Sequence, residues 1–235
     1  MEDVGARVGA RIRHFRKKRR MTLAELASRV YKSQSAISKY EHGEVAIDIA
    51  TLYAIADALQ VGIDLLLYIP ERPRPQRSEQ GLPSFFDGCS HFYSYVFDGR
   101  VNKIIRCAFD VLDETSAMEY GVAMYMNFTD YDAYQDCETS YKGTMSHQDA
   151  LTNILLVNRE SPIEQASVQI LASYLDTDTK WGLFNGLSSR PMMPIATKML
   201  FSRRRLDEGA DLIRELKISR DDIRMLKLYN MFCVV

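Results

Sequence analysis

The hydrophobic periodicity of the chain changes once, and this change limits the possible folds more than any other feature. Residues 5–69 repeat apolar side chains at the spacing of amphipathic helices, as in Val8, Ile12 and Phe15. From about residue 85 onward, apolar and polar residues alternate with the period of two that is typical of half-buried strands. The sequence therefore predicts a helical unit followed by a separate β unit.

A proline-rich segment separates the two patterns. The stretch PERPRPQRSEQGLP contains four prolines and alternating charges, and it offers little apolar surface to bury. This composition favours an extended linker. We predict a helical domain over residues 1–70, a linker over 71–84, an antiparallel β-barrel over 85–205 and a C-terminal helical segment over 206–235.

About eight strands follow the linker without an intervening helix. The first two flank Asp98-Gly99, a dipeptide that favours a tight hairpin turn. A meander of this length removes its exposed edges by closing into an antiparallel barrel. The tail returns to helical spacing, and Ser219 and Asp222 form a capping-box pattern there. The predicted fold class is α+β multidomain, with an all-α N-terminal domain, a barrel of about eight strands and terminal helices.

Charge is distributed unevenly between the two parts. Residues 1–77 contain 14 Lys/Arg and 9 Asp/Glu, a net charge of +5, whereas the remainder contains 16 and 22, a net charge of −6. This asymmetry indicates that the N-terminal part meets a polyanion and that the C-terminal part does not.

The helical unit resembles the Cro and lambda-repressor-like (xenobiotic-response-element, XRE) helix-turn-helix family. The stretches that resemble it are IRHFRKKRRMTLAELA, SQSAISKYEHGE and TLYAIADALQVGIDLLL. The matching positions are Arg16, Thr22, Glu25, Leu26, Ala27, Ile37, Glu41, Gly43, Ile55, Ala56 and Leu59. The resemblance implies a transcriptional regulator that places its third helix in the major groove of double-stranded DNA. It also implies a homodimer on a palindromic operator.

The resemblance further implies roles for particular side chains. Gln and Lys match the edges of adenine and guanine. The residues that the resemblance assigns to base contacts are Gln34, Ser35, Ser38 and Lys39. Phosphate contacts set the register of the protein on the duplex without reading sequence. The residues that occupy the corresponding positions are Thr22, Lys32, Ser33 and His42.

Two of the matching positions correspond to an ion pair in the family, and the sequence departs from the family at two places. Arg16 and Glu41 match a partly buried ion pair that ties the first helix to the end of the third. Leu23 stands where the family usually has Gln, which removes one phosphate contact. The turn between the second and third helices commonly contains Gly, whereas Val30-Tyr31-Lys32 occupies it here.

The predicted barrel contains aromatic side chains at alternating strand positions. Eight meandering strands followed by a helix resemble the lipocalin or calycin architecture at the level of the fold. Such a barrel can hold one small ligand, and apolar rings with a few polar groups suit a small organic molecule. The residues predicted to line this pocket are Tyr93, Tyr95, Tyr125, Tyr141, Trp181 and Asn185. The alternative is that these side chains fill a solid core.

The sequence offers little support for other classes. The four cysteines are scattered and form no CxxC pair, which favours reduced thiols and argues against a disulfide or metal framework. We find no Gly-rich phosphate loop and no nucleophile segment of a self-cleaving repressor, so we expect neither an enzyme nor a cofactor. The N-terminus lacks a signal-peptide core, and no apolar run is long enough for a membrane helix. We expect a cytoplasmic protein.

Two functions remain open for the whole chain. The first is a ligand-responsive transcriptional regulator whose barrel senses a small molecule, and this is the interpretation we favour at this stage. The second is an antitoxin or phage-type repressor whose barrel only dimerises or binds a protein partner. A connected internal cavity would favour the first, and a solid core with an exposed apolar patch would favour the second.

Overall fold

The chain divides into two compact units, residues 1–70 and 71–235. Most of the predicted linker lies outside the residues that the structure describes. The structure is a computed structural model, and the residues it describes are 4–67, 73, 82–171, 177–189 and 192–234.

Helices are the only regular secondary structure among the described residues of the N-terminal unit. Its second helix begins at a capping box, in which the Thr22 hydroxyl accepts from the Glu25 amide and the Glu25 carboxylate accepts from the Thr22 amide. The third begins at Ser33, whose hydroxyl caps the amide of Ala36 at 3.1 Å. The helices are α1 Val4–Lys18, α2 Leu23–Arg29, α3 Gln34–Glu41, α4 Ile49–Leu59 and α5 Ile63–Leu67.

A single apolar core holds these helices together. Ile12 of α1, Leu26 of α2, Ile37 of α3 and Ile55 of α4 are all fully buried in it. The helix α1 approaches α3 closely because Gly9 has no side chain: a Cβ there would lie 2.2 Å from the Tyr40 carbonyl oxygen. This packing presents the opposite face of α3 to solvent.

The C-terminal unit is a closed barrel in which each strand pairs antiparallel with its neighbours in sequence, and the last strand pairs with the first. The strands are β1 His91–Asp98, β2 Lys103–Ser116, β3 Glu119–Phe128, β4 Cys137–Gln148, β5 Leu151–Asn158, β6 Gln165–Leu171, β7 Thr179–Ser189 and β8 Met192–Ser202. Two helices follow, α6 Ala210–Leu216 and α7 Arg220–Tyr229. The predicted fold class is confirmed. Among the described helices, none combines the length and hydropathy needed to span a membrane.

Apolar side chains from all eight strands fill the barrel interior. Phe92 and Phe109 stack with ring centroids 4.8 Å apart, and Phe201 packs beside them. The segment before β1 adds Phe85 and Phe86, which are both fully buried. The interior is therefore a packed core.

The outer wall of the barrel carries a second, smaller apolar cluster. The helix α6 lays Leu212 and Leu216 against Tyr95 of β1 and Leu200 of β8. Trp181 of β7 packs at the edge of the same cluster. Strands β1, β7 and β8 are therefore apolar on both faces where α6 covers them.

One buried histidine makes the barrel sensitive to acid. His147 hydrogen bonds to the Thr152 hydroxyl at 2.9 Å and packs against Phe86, and burial lowers the pKa of His147 to about 4. An unfolded histidine has a pKa of about 6.5, so between these values the unfolded chain binds more protons than the folded one. Stability conferred by the neutral ring is therefore lost as the pH falls from about 6.5 to 4.

We expect this titration to lower the free energy of unfolding by roughly 3 kcal/mol across that interval. Urea unfolding at about pH 7 and pH 4.5, followed by the fluorescence of the single tryptophan, measures it. His147→Gln removes the titrating group and serves as the matched control for the other ionisable residues. An equal pH dependence in the variant and the wild type would contradict this assignment.

Candidate nucleic-acid interface

The helix α3 separates its side chains by face. Ile37, Tyr40 and Glu41 are buried against the rest of the unit. Gln34, Ser35 and Lys39 are exposed, and Ser38 is half-buried. The four predicted base-contacting residues thus share the solvent side of an exposed helix, as a helix in a major groove requires.

The predicted phosphate-contacting residues surround the ends of α2 and α3. Thr22 and Ser33 are the N-caps of these helices, so their hydroxyls already bond to backbone amides of the first turn. Lys32 is exposed immediately before Ser33. His42 follows α3, and its Nδ1 lies 2.7 Å from the Ser38 carbonyl oxygen, so Nδ1 is the protonated nitrogen there.

Arg16 and Glu41 form a bidentate ion pair between α1 and the end of α3. Arg16 Nε donates to Glu41 Oε1 at 2.6 Å, and Nη2 donates to Oε2 at 2.9 Å. A third bond joins Arg16 Nη1 to the Met21 carbonyl at 2.9 Å. The hydrogen bond to Glu41 raises the pKa of Arg16, although burial opposes this shift. The pair therefore fixes the end of α3 against both α1 and the connection to α2.

Two arginines of the N-terminal unit have structural roles that the sequence interpretation missed. Arg19 Nε donates to the Leu59 carbonyl at 3.2 Å, and Arg29 Nη1 donates to the Ala58 carbonyl at 3.3 Å. Both carbonyls lie at the end of α4, where backbone acceptors lack intrahelical partners and cations are favoured. Part of the positive charge of the unit therefore stabilises its fold.

The structure does not bring the six predicted ligand-pocket residues together. Tyr141 belongs to the packed interior. Tyr93, Tyr95 and Trp181 belong to the cluster on the outer wall, because Phe92 of β1 and Phe184 of β7 take the inward positions. The remaining two residues, Tyr125 and Asn185, also alternate with inward-facing neighbours.

The tyrosines on the outer wall hold neighbouring segments in place. Tyr95 Oη accepts from the Leu206 amide at 3.0 Å and lies 3.2 Å from Tyr131 Oη, which donates to Glu208 at 2.6 Å. Tyr125 packs edge-on against Tyr134 with ring centroids 5.4 Å apart. These contacts fasten the β3–β4 loop and the segment after β8 to the barrel. In the part of the chain that the structure describes, no group of three His, Cys, Asp or Glu side chains could hold a metal ion.

The capped α2–turn–α3 unit and its exposed polar face define a helix-turn-helix DNA-binding domain. Residues 12–66 match the family model HTH_3, described as helix-turn-helix. The N-terminal unit therefore contains an HTH_3 helix-turn-helix domain, which supports a DNA-binding regulator. No curated protein matches the chain.

Several solved structures are similar to the chain. The clp gene regulator ClgR from C. glutamicum is 28% identical over 27% of this chain and 83% of its own, with a TM-score of 0.27. The restriction-modification controller protein C.AhdI from Aeromonas hydrophila is 21% identical over 28% of this chain and 98% of its own, also with a TM-score of 0.27. An HTH_3 family transcriptional regulator from Vibrio cholerae is 12% identical over 86% of this chain and 99% of its own, again with a TM-score of 0.27.

Proposed function

We propose that the protein regulates transcription as a homodimer on a palindromic operator, with a C-terminal unit that assembles the dimer and has no catalytic role. The observation that supports this most directly is the exposed polar face of α3, with Gln34, Ser35 and Lys39 in solvent. One recognition helix covers only a few base pairs, so two copies related by a two-fold axis give the specificity that regulation needs.

The packed interior supports an assembly role for the barrel over a sensing role. Fully buried rings and aliphatic side chains occupy the space where a ligand would bind in an open barrel. The helix α7, by contrast, contains no buried residue, and Ile223 and Leu226 on one side of it remain 44% and 43% exposed. Exposed apolar helix faces are typical of sites that associate with other surfaces.

Lys39→Ala tests the assignment of α3 to base readout. We expect this substitution to lower affinity about 10- to 100-fold for an operator selected from a random duplex pool, since a good base contact contributes about 1–3 kcal/mol of discrimination. Affinity for a mixed-sequence duplex should fall much less. Fluorescence anisotropy on both duplexes measures the difference.

Lys32→Ala is the matched control, because it removes the same charge from a predicted phosphate contact. It should weaken binding to both duplexes equally and reduce the slope of log affinity against log salt by about 0.9. If Lys39→Ala behaved in the same way, Lys39 would contact only phosphate. If neither variant affected binding, α3 would not be the DNA-binding element.

Ligand sensing is the second candidate, and one observation favours it. An open groove of about 890 Å³ lies along strands β4 to β7, with Asn185 among its lining residues. Apolar side chains of Leu155 and Ile163 border it. A small-molecule extract that changed operator affinity for the wild type, but not for Asn185→Leu, would support a sensing role.

A further inference from the structure

Tyr31 occupies an unusual position between α2 and α3. Its φ angle is +53°, in the left-handed region that strongly favours glycine and that β-carbon sterics disfavour for other residues. The turn is closed on either side by backbone hydrogen bonds, from Val30 to Leu26 and from Lys32 to Ala27, at 3.1 and 3.0 Å. The backbone therefore holds Tyr31 in this conformation regardless of its side chain.

The side chain of Tyr31 does nothing to offset that steric cost within the fold. It is 95% exposed, the highest exposure among the large hydrophobic residues in the part of the chain that the structure describes. Glycine would fit the same turn without strain, and a polar residue would suit solvent better. A large aromatic ring that is strained and unburied points to a contact outside the unit.

The surroundings of Tyr31 indicate the chemistry of that contact. Residues 31–35 are five consecutive exposed residues that lead from the turn into α3. They include the exposed cation of Lys32, the N-cap Ser33 and the side chain of Gln34. A tyrosine beside this face presents a hydroxyl donor at the edge of the region that faces the groove, where a duplex places its phosphates.

We propose that Tyr31 is a further DNA contact, whose phenol hydroxyl donates a hydrogen bond to a backbone phosphate flanking the half-site read by α3. This inference rests on the proposed placement of α3 in the major groove. A phosphate contact fixes register and adds affinity without reading sequence. Tyr31 should therefore contribute equally on the selected operator and on mixed-sequence DNA.

Two substitutions in the full-length protein separate the hydroxyl from the backbone. Tyr31→Phe keeps the ring and removes the donor, and we expect it to weaken binding to both duplexes about 10- to 100-fold, as loss of a hydrogen bond to a charged group does. Tyr31→Gly should weaken binding at least as much. Because glycine relieves the left-handed strain, amide hydrogen exchange in α2 and α3 of Tyr31→Gly should slow, by about two- to fivefold.

Gln60→Gly is the matched control for the backbone effect. Gln60 is the exposed C-cap of α4 with a φ of +55°, and it lies outside the predicted DNA-contacting set. This variant should also slow exchange, and it should bind both duplexes like the wild type. A Tyr31→Gly variant that exchanges its amides more slowly and yet binds DNA more weakly is thus expected only if the Tyr31 side chain contacts DNA.

The outcomes that would overturn the proposal are distinct from those that test α3. Wild-type affinity in Tyr31→Phe would exclude the hydroxyl contact, and faster exchange in Tyr31→Gly would mean that lost binding follows from lost structure. A change in sedimentation behaviour would assign Tyr31 to a protein contact instead. In each case Lys39→Ala would still discriminate between duplexes if α3 reads the bases, so the two hypotheses fail separately.

Discussion

Arg16→Met is expected to destabilise the N-terminal unit by about 3–5 kcal/mol, the usual cost of breaking a buried ion pair from one side. The Glu41 side chain is only 2% exposed, so the variant would leave its carboxylate buried with no cation beside it. The Met21 carbonyl would also lose its guanidinium donor. Amide exchange in α1 and α3 of the full-length protein should accelerate about 100-fold or more.

The double variant Arg16→Met/Glu41→Leu distinguishes this cause from a packing defect. Replacing both charges with apolar side chains removes the uncompensated carboxylate, and such exchanges are often neutral or stabilising. We expect the double variant to recover most of the lost protection, which gives a strong coupling in a double-mutant cycle. Additive losses would instead mean that the two residues stabilise the unit independently.

Local capping chemistry is the part of the fold that the sequence predicts best. The Thr22–Glu25 capping box and the Ser33 N-cap depend on neighbours within one helical turn, and the structure forms both. Gly43 likewise follows α3 with a φ of +69°, the left-handed conformation in which glycine commonly ends a helix. The number of strands and their closure into a barrel followed from periodicity and short connections, which are also local signals.

The inward face of each strand could not be predicted. Alternation with a period of two divides the side chains into two sets, but it does not say which set faces the barrel interior. In β1, Phe92 and Tyr95 are both fully buried, one inside the barrel and one beneath α6. A strand that is apolar on both faces gives no polar side to mark solvent. The aromatic residues assigned to one pocket were therefore divided between the core and the outer wall.

The arginines of the N-terminal unit show a similar limit. A run of basic residues indicates a polyanion partner through net charge alone. Whether one guanidinium faces DNA or a helix carbonyl depends on tertiary neighbours, as with Arg19 at Leu59 and Arg29 at Ala58. Residue spacing in and around α1 and α2 carries no information about the end of α4, so these roles required the structure.

Disrupting the exposed side of α7 is expected to reduce operator affinity about 10²- to 10⁴-fold, since a monomer engages one half-site and loses the gain from linked binding. The variant is Ile223→Ser/Leu226→Ser, which makes polar two half-exposed side chains on one side of the helix. The helix itself should persist, because its Ser219–Asp222 capping box and the Lys198–Asp222 ion pair at 2.8 Å are untouched. Sedimentation should show a monomer.

Leu228→Ser is the matched control on the same helix. Leu228 is 65% exposed, and it lies on a different side of α7 from Ile223 and Leu226. The control should remain a dimer with wild-type operator affinity, because it removes exposed apolar surface from the same helix while the proposed contact is kept. A dimeric double variant that binds the operator like the wild type would place the two-fold contact elsewhere, and equal losses in both variants would mean that α7 associates without a defined face. Monomer formation in the double variant alone, with its affinity for a single half-site unchanged, is the result that assigns dimerisation to Ile223 and Leu226.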